Sequence, residues 1–140
     1  MTRTDWQQIA EERAKDAQAL IIASQWSGAY YLGGYAVECG LKSCVLRRLA
    51  TAPELIFVDK QFGEKCWTHD LENLIALADL ETVRAAAIAA NAALGMSWQV
   101  VFNWSEQDRY RIKTETEARN LVTAVTDSTN RVLPWIKGHW

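Results

Sequence analysis

The feature that most constrains the fold is the stretch 30–48, YYLGGYAVECGLKSCVLRR. Its apolar residues recur at helical spacing on two sides of one helix. A helix that is apolar on two sides packs between neighbours, so we expect it at the centre of a helical bundle. Its glycines lower helix propensity by roughly 1 kcal/mol each, and they predict close approach of a second backbone at Gly33, Gly34 and Gly40.

Two ionisable residues, Glu38 and Lys42, lie four positions apart within this apolar pattern. That order and spacing favours an ion pair on one helix face. Because buried charges are costly unless they are paired, the pair indicates either a structural contact within the bundle or part of a binding site.

Length and composition indicate one globular domain that spans residues 1–140. Hydrophobic residues make up 49% of the chain, which is enough for a core. The net charge of −2 argues against bulk electrostatic binding to nucleic acid, although a local basic patch is compatible with it. Only two prolines occur, which favours long helices.

Cysteine and histidine spacing gives no sign of a metal site or a cofactor. The three cysteines cannot all pair within one chain and are expected to be reduced thiols, and no CxxC or HxxxH spacing occurs. The first residues lack the apolar core of a signal peptide, and no apolar run approaches the ~20 residues that span a bilayer. We therefore expect a cytoplasmic protein with no membrane segment.

The pattern along the chain predicts an all-α, up-and-down bundle of four to five helices. Helix one is expected over residues 5–24, with Thr4 and Gln7 as a capping box, and helix two over residues 27–50. Residues 50–68 are predicted to form a loop with one turn near 54–58, in which Phe57, Phe62 and Trp67 cover an end of the bundle.

The second half of the chain predicts the remaining helices. The third begins near His69 and Asp70, capped by Thr68 or Asp70, and the fourth covers residues 81–94 and ends at Gly95. Residues 96–103 are a short helix or turn, and residues 104–111 a polar loop. The last helix begins at Thr114 or Thr116, with Thr114 and Glu117 as a capping box, and continues past Val132 until Pro134 kinks or ends it.

Arg109, Tyr110 and Arg111 are the best candidates for ligand contact, because two guanidinium groups beside an aromatic ring suit phosphate binding and base stacking. The alternative is a loop held to Glu38 through Arg109. His69 is a candidate general base, although a histidine before a helix more often serves as a cap. Two further groups are candidate surfaces. Arg47, Arg48, Lys60 and Lys65 form either a basic patch or an ordinary solvated surface, and Trp98, Phe102 and Trp104 form either an apolar dimer or partner surface or the covered end of the bundle.

The chain resembles a HEPN domain, the helical family named for nucleotide binding in higher eukaryotes and prokaryotes. Three pieces carry the resemblance in order: Tyr31, Ala36, Val37, Glu38, Leu41 and Lys42 on helix two, the step His69-Asp70-Leu71 with Leu74, and Arg109-Tyr110 before the final helix. The resemblance implies a bundle that commonly homodimerises. It also implies prokaryotic toxin–antitoxin or stress-response pairs, in which the partner is often a minimal nucleotidyltransferase.

Many members of that family are metal-independent RNases with an arginine four to six residues before a histidine. Here those positions hold Lys65, Glu64 and Gly63 before His69, and none of the corresponding positions before His139 is an arginine. The leading hypothesis is therefore a noncatalytic HEPN-like domain that binds nucleotide, RNA or a partner protein, with ligand contacts from Glu38, Lys42, Arg109, Tyr110 and Arg111. One alternative is an RNase with His69 as base, Arg109 as phosphate contact and Tyr110 as stacking group; the other is a purely structural interaction module.

Overall fold

The computed structural model describes residues 1–140 and is all-α, which confirms the predicted fold class. The five helices of ten or more residues are α1 (Arg3–Ile22), α2 (Trp26–Thr51), α6 (Glu81–Ala90), α7 (Ala92–Val101) and α8 (Glu115–Thr126). The shorter ones are α3 (Leu55–Val58), α4 (Phe62–Lys65), α5 (Leu71–Leu77), α9 (Val132–Lys137) and a 3-10 helix (Glu106–Tyr110) between α7 and α8. The predicted count of four to five helices is therefore too low.

Helix α2 is the centre of the molecule, as its two apolar sides predict. It packs against α1, α5, α8, α9 and the 3-10 helix. Half of its 26 residues are buried, including Leu41 and Val37, which are fully excluded from solvent. Helix α2 is thus the common packing partner of α1, α5, α8 and α9, whereas α6 and α7 join the bundle through α8 and α9.

Helices α1 and α2 form an antiparallel hairpin. The turn between them places Ser24 at φ 56°, and the amide of Gln25 donates to the carbonyl of Leu20 at 2.9 Å. Helix α1 begins two residues earlier than predicted, because its capping box uses Thr2 and Asp5 rather than Thr4 and Gln7. Both pairs have a suitable spacing, so sequence alone did not decide between them.

The predicted fourth helix is two helices. The chain breaks at Asn91, whose side chain accepts a hydrogen bond from the amide of Leu94 and so starts α7. Gly95, predicted as a C-terminal stop, lies inside α7. A Cβ at Gly95 would come within 2.9 Å of Ile88 Cγ2, so this glycine allows α6 and α7 to pack closely.

The predicted last helix is also divided. Thr114 and Glu117 form the expected capping box of α8, but that helix ends at Thr126 instead of continuing past Val132. Helix α9 then begins at Val132 and contains Pro134 in its first turn. A proline there removes an amide that would have no helical partner, so Pro134 neither kinks nor ends a helix.

Aromatic residues are distributed differently from the prediction. Of the three expected to cover a bundle end, Phe62 is buried, whereas Phe57 and Trp67 are 84% and 86% exposed. The predicted exposed surface of Trp98, Phe102 and Trp104 does not exist, because Trp98 and Trp104 are buried. Trp98 stacks on Phe102 and meets the edge of Trp135, a partner that is distant in sequence.

All three cysteines are free thiols, as expected. Burial raises the pKa of Cys39 and of Cys44 to about 12, and it also raises the pKa of Cys66. No helix of the structure combines the length and the apolar character that a membrane crossing requires.

Candidate functional site

The candidate site is built around a carboxylate in the middle of α2. Glu38 is 1% exposed, and its Oε1 accepts from Lys42 Nζ at 2.7 Å and from His69 Nδ1 at 2.9 Å. The Glu38–Lys42 ion pair predicted from spacing is therefore present, with a third member. The second oxygen, Oε2, is buried and has no hydrogen-bond partner, which is unusual for a carboxylate.

His69 reaches Glu38 because of the way α5 begins. Asp70 is the N-cap of α5, with its carboxylate accepting from the amide of Asn73 at 2.9 Å, as predicted. Thr68 accepts from the amide of Asp70 at 3.0 Å. These two local contacts fix the chain on both sides of His69, and since α5 packs on α2, the imidazole is directed at Glu38.

The other ring nitrogen of His69 meets a second carboxylate. Nε2 lies 3.1 Å from Oε2 of Glu106, the first residue of the 3-10 helix. The imidazole therefore bridges a buried carboxylate and one that is 30% exposed, while its own side chain is 49% exposed. The imidazole donates to both carboxylates only when it carries a proton on each nitrogen, and in that form it is positively charged. We call Glu38, Lys42, His69 and Glu106 the His69 cluster.

Glu106 belongs to residues 104–113, which are held against α2 at three points. The last of them is the amide of Lys113, which donates to Ser27 Oγ at 2.9 Å. The first is Trp104, whose ring lies on Gly34 and whose Nε1 donates to the carbonyl of Tyr31 at 3.1 Å. A Cβ on Gly34 would lie 2.2 Å from the ring carbons Cδ1 and Cγ. The glycines were predicted to admit a second backbone; at Gly34 the structure shows a tryptophan side chain instead.

The second point is Asp108, whose side chain is fully buried. Its Oδ2 accepts from the amide of Ser105 at 2.8 Å, and its Oδ1 lies 3.0 Å from Lys113 Nζ and 3.5 Å from Arg111 Nη1. Lys113 in turn lies over the ring of Tyr30 on α2, 4.2 Å from its centroid. Asp108 thus ties the 3-10 helix and the chain after it to the core.

The structure places the three predicted ligand residues on the outside of this segment. Arg109 is exposed, with its guanidinium 5.0 Å from the ring centroid of Tyr110, which is itself 75% exposed. The side chain of Arg111 is 62% exposed, and its guanidinium forms an ion pair with the Asp108 carboxylate. The expected contact of Arg109 with Glu38 is wrong, because Glu38 is linked to this segment through His69 and Glu106.

Electrostatic effects on Tyr31 show which charges surround the site. Burial is the main cause that raises the pKa of the Tyr31 hydroxyl; Arg109 lowers it, and Glu38 and Glu106 raise it. Tyr31 stacks on Trp104 on one side and on Tyr35 on the other. Arg109 is therefore close enough to act on the same ring as the two carboxylates that face His69.

A groove of about 560 Å³ opens beside the cluster. Two of its carboxylates have other roles, since Asp70 caps α5 and Glu72 accepts two hydrogen bonds from Arg84 at 3.1 and 2.9 Å. Its apolar wall includes Phe102 and the edge of Trp104. Of the titratable residues that line this groove, His69 and Glu106 are the two that remain available for contact with a ligand. We call it the His69 groove.

The predicted basic patch does not form a site. Arg48 donates to the carbonyl of Leu77 at 2.8 Å and so closes the end of α5, and Lys65 pairs with Asp59 at 2.7 Å. Both line a larger groove of about 770 Å³ beside α3 and α4. That groove contains no buried charged side chain, so size alone does not make it the better candidate.

Sequence reasoning missed the roles of Glu106 and Asp108, and it assigned Trp104 to an exposed surface instead of to the contact with Gly34. A usable signal existed for one of them, because Ser105 and Asp108 have the spacing of a capping box, and the structure shows that box. Nothing in the local sequence pairs Glu106 with His69, 37 positions earlier in numbering.

Comparisons of the chain with protein-family models, with curated proteins and with solved structures gave no significant match.

Proposed function

We propose that this chain is a HEPN-like helical domain that binds a nucleotide or single-stranded RNA at the His69 groove and the adjoining Arg109–Tyr110 surface. The observation that carries the proposal is the exposed Tyr110 ring beneath the Arg109 guanidinium, on the same short helix as Glu106. A free aromatic face beside a cation suits a base and its phosphate. The contacts that hold residues 104–113 against α2 also keep this short helix against His69, which lies 3.1 Å from Glu106.

Tyr110→Ala tests the stacking role. Loss of a base–aromatic stack costs about 1–3 kcal/mol, so we expect affinity for RNA to fall by roughly 5- to 150-fold. The measurement is fluorescence anisotropy with a labelled single-stranded oligoribonucleotide, with unlabelled nucleotides as competitors. Phe57→Ala, which removes an equally exposed aromatic from α3, is the matched control and should leave affinity unchanged. Equal affinities for the wild-type chain and both variants would contradict the proposal.

The same titrations separate this proposal from a purely structural role of the Arg109 loop. Arg109→Ala removes an exposed guanidinium, so the melting temperature should barely change, while RNA affinity and its salt dependence should both decrease. A lower melting temperature with unchanged affinity would support the structural module.

Metal-independent RNA cleavage is the second candidate, and the Glu38–His69 contact favours it. The buried carboxylate holds Nδ1, which fixes the ring and leaves Nε2 toward the groove, the arrangement a general base needs. In its unprotonated form, Nε2 would take the proton of a ribose 2′-OH; that oxygen would then bond to the adjacent phosphorus as the bond to the 5′-oxygen breaks, with Arg109 beside the developing charge. The imidazolium so formed, or water, would protonate the departing 5′-oxygen. The products are a 2′,3′-cyclic phosphate and a 5′-hydroxyl.

His69→Ala decides between binding and cleavage. If the chain is an RNase, wild-type protein incubated with RNA and a metal chelator should give fragments with cyclic phosphate ends, and His69→Ala should abolish them. His139→Ala is the matched control for the only other histidine. Intact RNA in the wild-type reaction, together with binding, supports the noncatalytic domain.

The HEPN resemblance also supports partner predictions for this domain: a homodimer, a minimal nucleotidyltransferase partner, and a place in a prokaryotic toxin–antitoxin or stress-response pair. Light scattering of the purified chain and co-purification with the product of a neighbouring gene test them. A monomer without any co-purifying protein would contradict these partner predictions while leaving RNA binding to be judged by its own titration.

A further inference from the structure

We propose that Glu106 occupies an oxyanion subsite, so that a phosphate group of the bound nucleotide or RNA replaces its carboxylate on His69 Nε2, next to Arg109. This inference deepens the proposed function and depends on it for the identity of the ligand. The ligand class is an oxyanion, and in the free chain the Glu106 carboxylate occupies the position of that oxyanion on His69.

The balance of charge in the His69 cluster is the first observation that supports an oxyanion ligand. When His69 carries a proton on both nitrogens, Lys42 and His69 supply two positive charges, which Glu38 and Glu106 balance. The two carboxylates are not equivalent, because Glu38 is 1% exposed and belongs to the central helix, whereas Glu106 is 30% exposed and lies on a short surface helix. Without Glu106 the cluster would carry one net positive charge, and its free hydrogen-bond donor would be Nε2 of His69. An anion is the ligand that restores the balance.

The geometry of the 3-10 helix is the second observation that supports an oxyanion ligand. Side chains three positions apart are eclipsed in such a helix, so Glu106 and Arg109 project from the same side. The pKa of the Tyr31 hydroxyl, which is raised mainly by burial, is lowered by Arg109 and raised by Glu106, as expected for two opposite charges on one side of this helix. An oxyanion in the place of the Glu106 carboxylate would therefore accept from His69 Nε2 and have the Arg109 guanidinium beside it, a charge-assisted arrangement that suits phosphate.

The exposure of Glu106 makes the exchange feasible. A rotation of its side chain into solvent releases Nε2 without moving the backbone, because residues 104–113 are held by Trp104 and Asp108 and not by Glu106. The other groove carboxylates do not compete for the same position, since Asp70 caps α5 and Glu72 binds Arg84. Glu106 is therefore the one residue whose carboxylate occupies the proposed phosphate position.

Glu106→Gln and Glu106→Ala test the inference with inorganic phosphate as the probe. Removal of a like charge from the subsite should raise phosphate affinity by about tenfold over the wild-type chain. The chain has two histidines, so the imidazole proton signals in an NMR titration report each one separately. We expect the signal of His69 to move with phosphate and that of His139 to stay in place, with potassium chloride at matched ionic strength as the blank.

Three further variants make the result specific. Glu64→Gln removes an exposed carboxylate from α4 and should not change phosphate affinity. His69→Ala and Arg109→Ala, each added to Glu106→Ala, should abolish the gain. A thermal melt of each variant shows whether the fold is kept, and the Gln variant, which preserves side-chain shape, serves if the Ala variant melts early.

The outcomes distinguish failure of this inference from failure of the proposed function. If RNA binds in a Tyr110-dependent way but the Glu106 variants bind phosphate no better than Glu64→Gln does, the oxyanion subsite is wrong. If the Glu106 variants gain phosphate affinity through His69 but no RNA or nucleotide binds, the subsite stands and the proposed function is wrong. If neither phosphate nor RNA shifts the His69 signal, both are wrong.

Discussion

We expect Gly34→Ala to lower the free energy of unfolding by about 2–4 kcal/mol, although alanine is the better helix former. The new Cβ would lie 2.2 Å from ring carbons of Trp104, which is 4% exposed and cannot move aside without leaving the core. The gain in helix propensity, roughly 1 kcal/mol, offsets only part of that cost. Thermal unfolding by circular dichroism should show a melting temperature lower by roughly 6–12 °C.

Gly63→Ala is the matched control, because a Cβ there meets nothing within 4 Å, and it should leave stability unchanged or slightly higher. A double-mutant cycle with Trp104→Ala identifies the cause. If the clash with the ring is responsible, Gly34→Ala costs little once the ring has been removed. Full additivity of the two effects would show that the tryptophan is not the reason for the glycine. The single variant should also weaken RNA binding, since it displaces residues 104–113.

Asp108→Ala should lower the free energy of unfolding by about 3–5 kcal/mol, the range for removal of one partner from a buried ion pair. The change leaves the Lys113 ammonium, 12% exposed, without its carboxylate at 3.0 Å, and it leaves the amide of Ser105 without its acceptor. Chemical denaturation followed by tryptophan fluorescence measures the loss. Because Asp108 holds the 3-10 helix, RNA affinity should fall with stability.

Asp16→Ala removes an aspartate of the same kind from an exposed pair with Arg13 and should cost less than about 1 kcal/mol. In Asp108→Ala/Lys113→Met the unpaired ammonium is gone, so the double variant should be more stable than Asp108→Ala alone. If Lys113→Met instead adds to the loss, the buried charge is not what makes Asp108 important.

How much of the site could be read from the sequence depends on the sequence separation of the contacting residues. The ion pair of Glu38 with Lys42 follows from a separation of four on one helix, and the cap by Asp70 follows from a separation of three. Both depend on helical periodicity and both are confirmed. The contacts that assemble the cluster, Glu38 with His69 and His69 with Glu106, join residues more than thirty positions apart. No local pattern encodes such a pairing.

The errors in the fold have the same origin. Gly95 resembles a helix end in the sequence, and only the packing of α6 on α7 shows that the chain breaks at Asn91 instead and needs Gly95 for close approach. Trp98 and Trp104 looked like an exposed surface because their partners, Trp135 and Gly34, are distant in the chain. The sequence therefore identified apolar residues but not where they would be buried.

By itself, the sequence determined the helical class, the central position of α2 and the caps of α5 and α8, because these depend on periodicity and on hydrogen bonds within one turn. Only the tertiary structure decided that Trp104 fills the space above Gly34, that Asp108 is buried, and that His69 lies between two carboxylates. Those contacts form when separate helices dock, and their free energy comes from burial and charge pairing between elements that are distant in the chain.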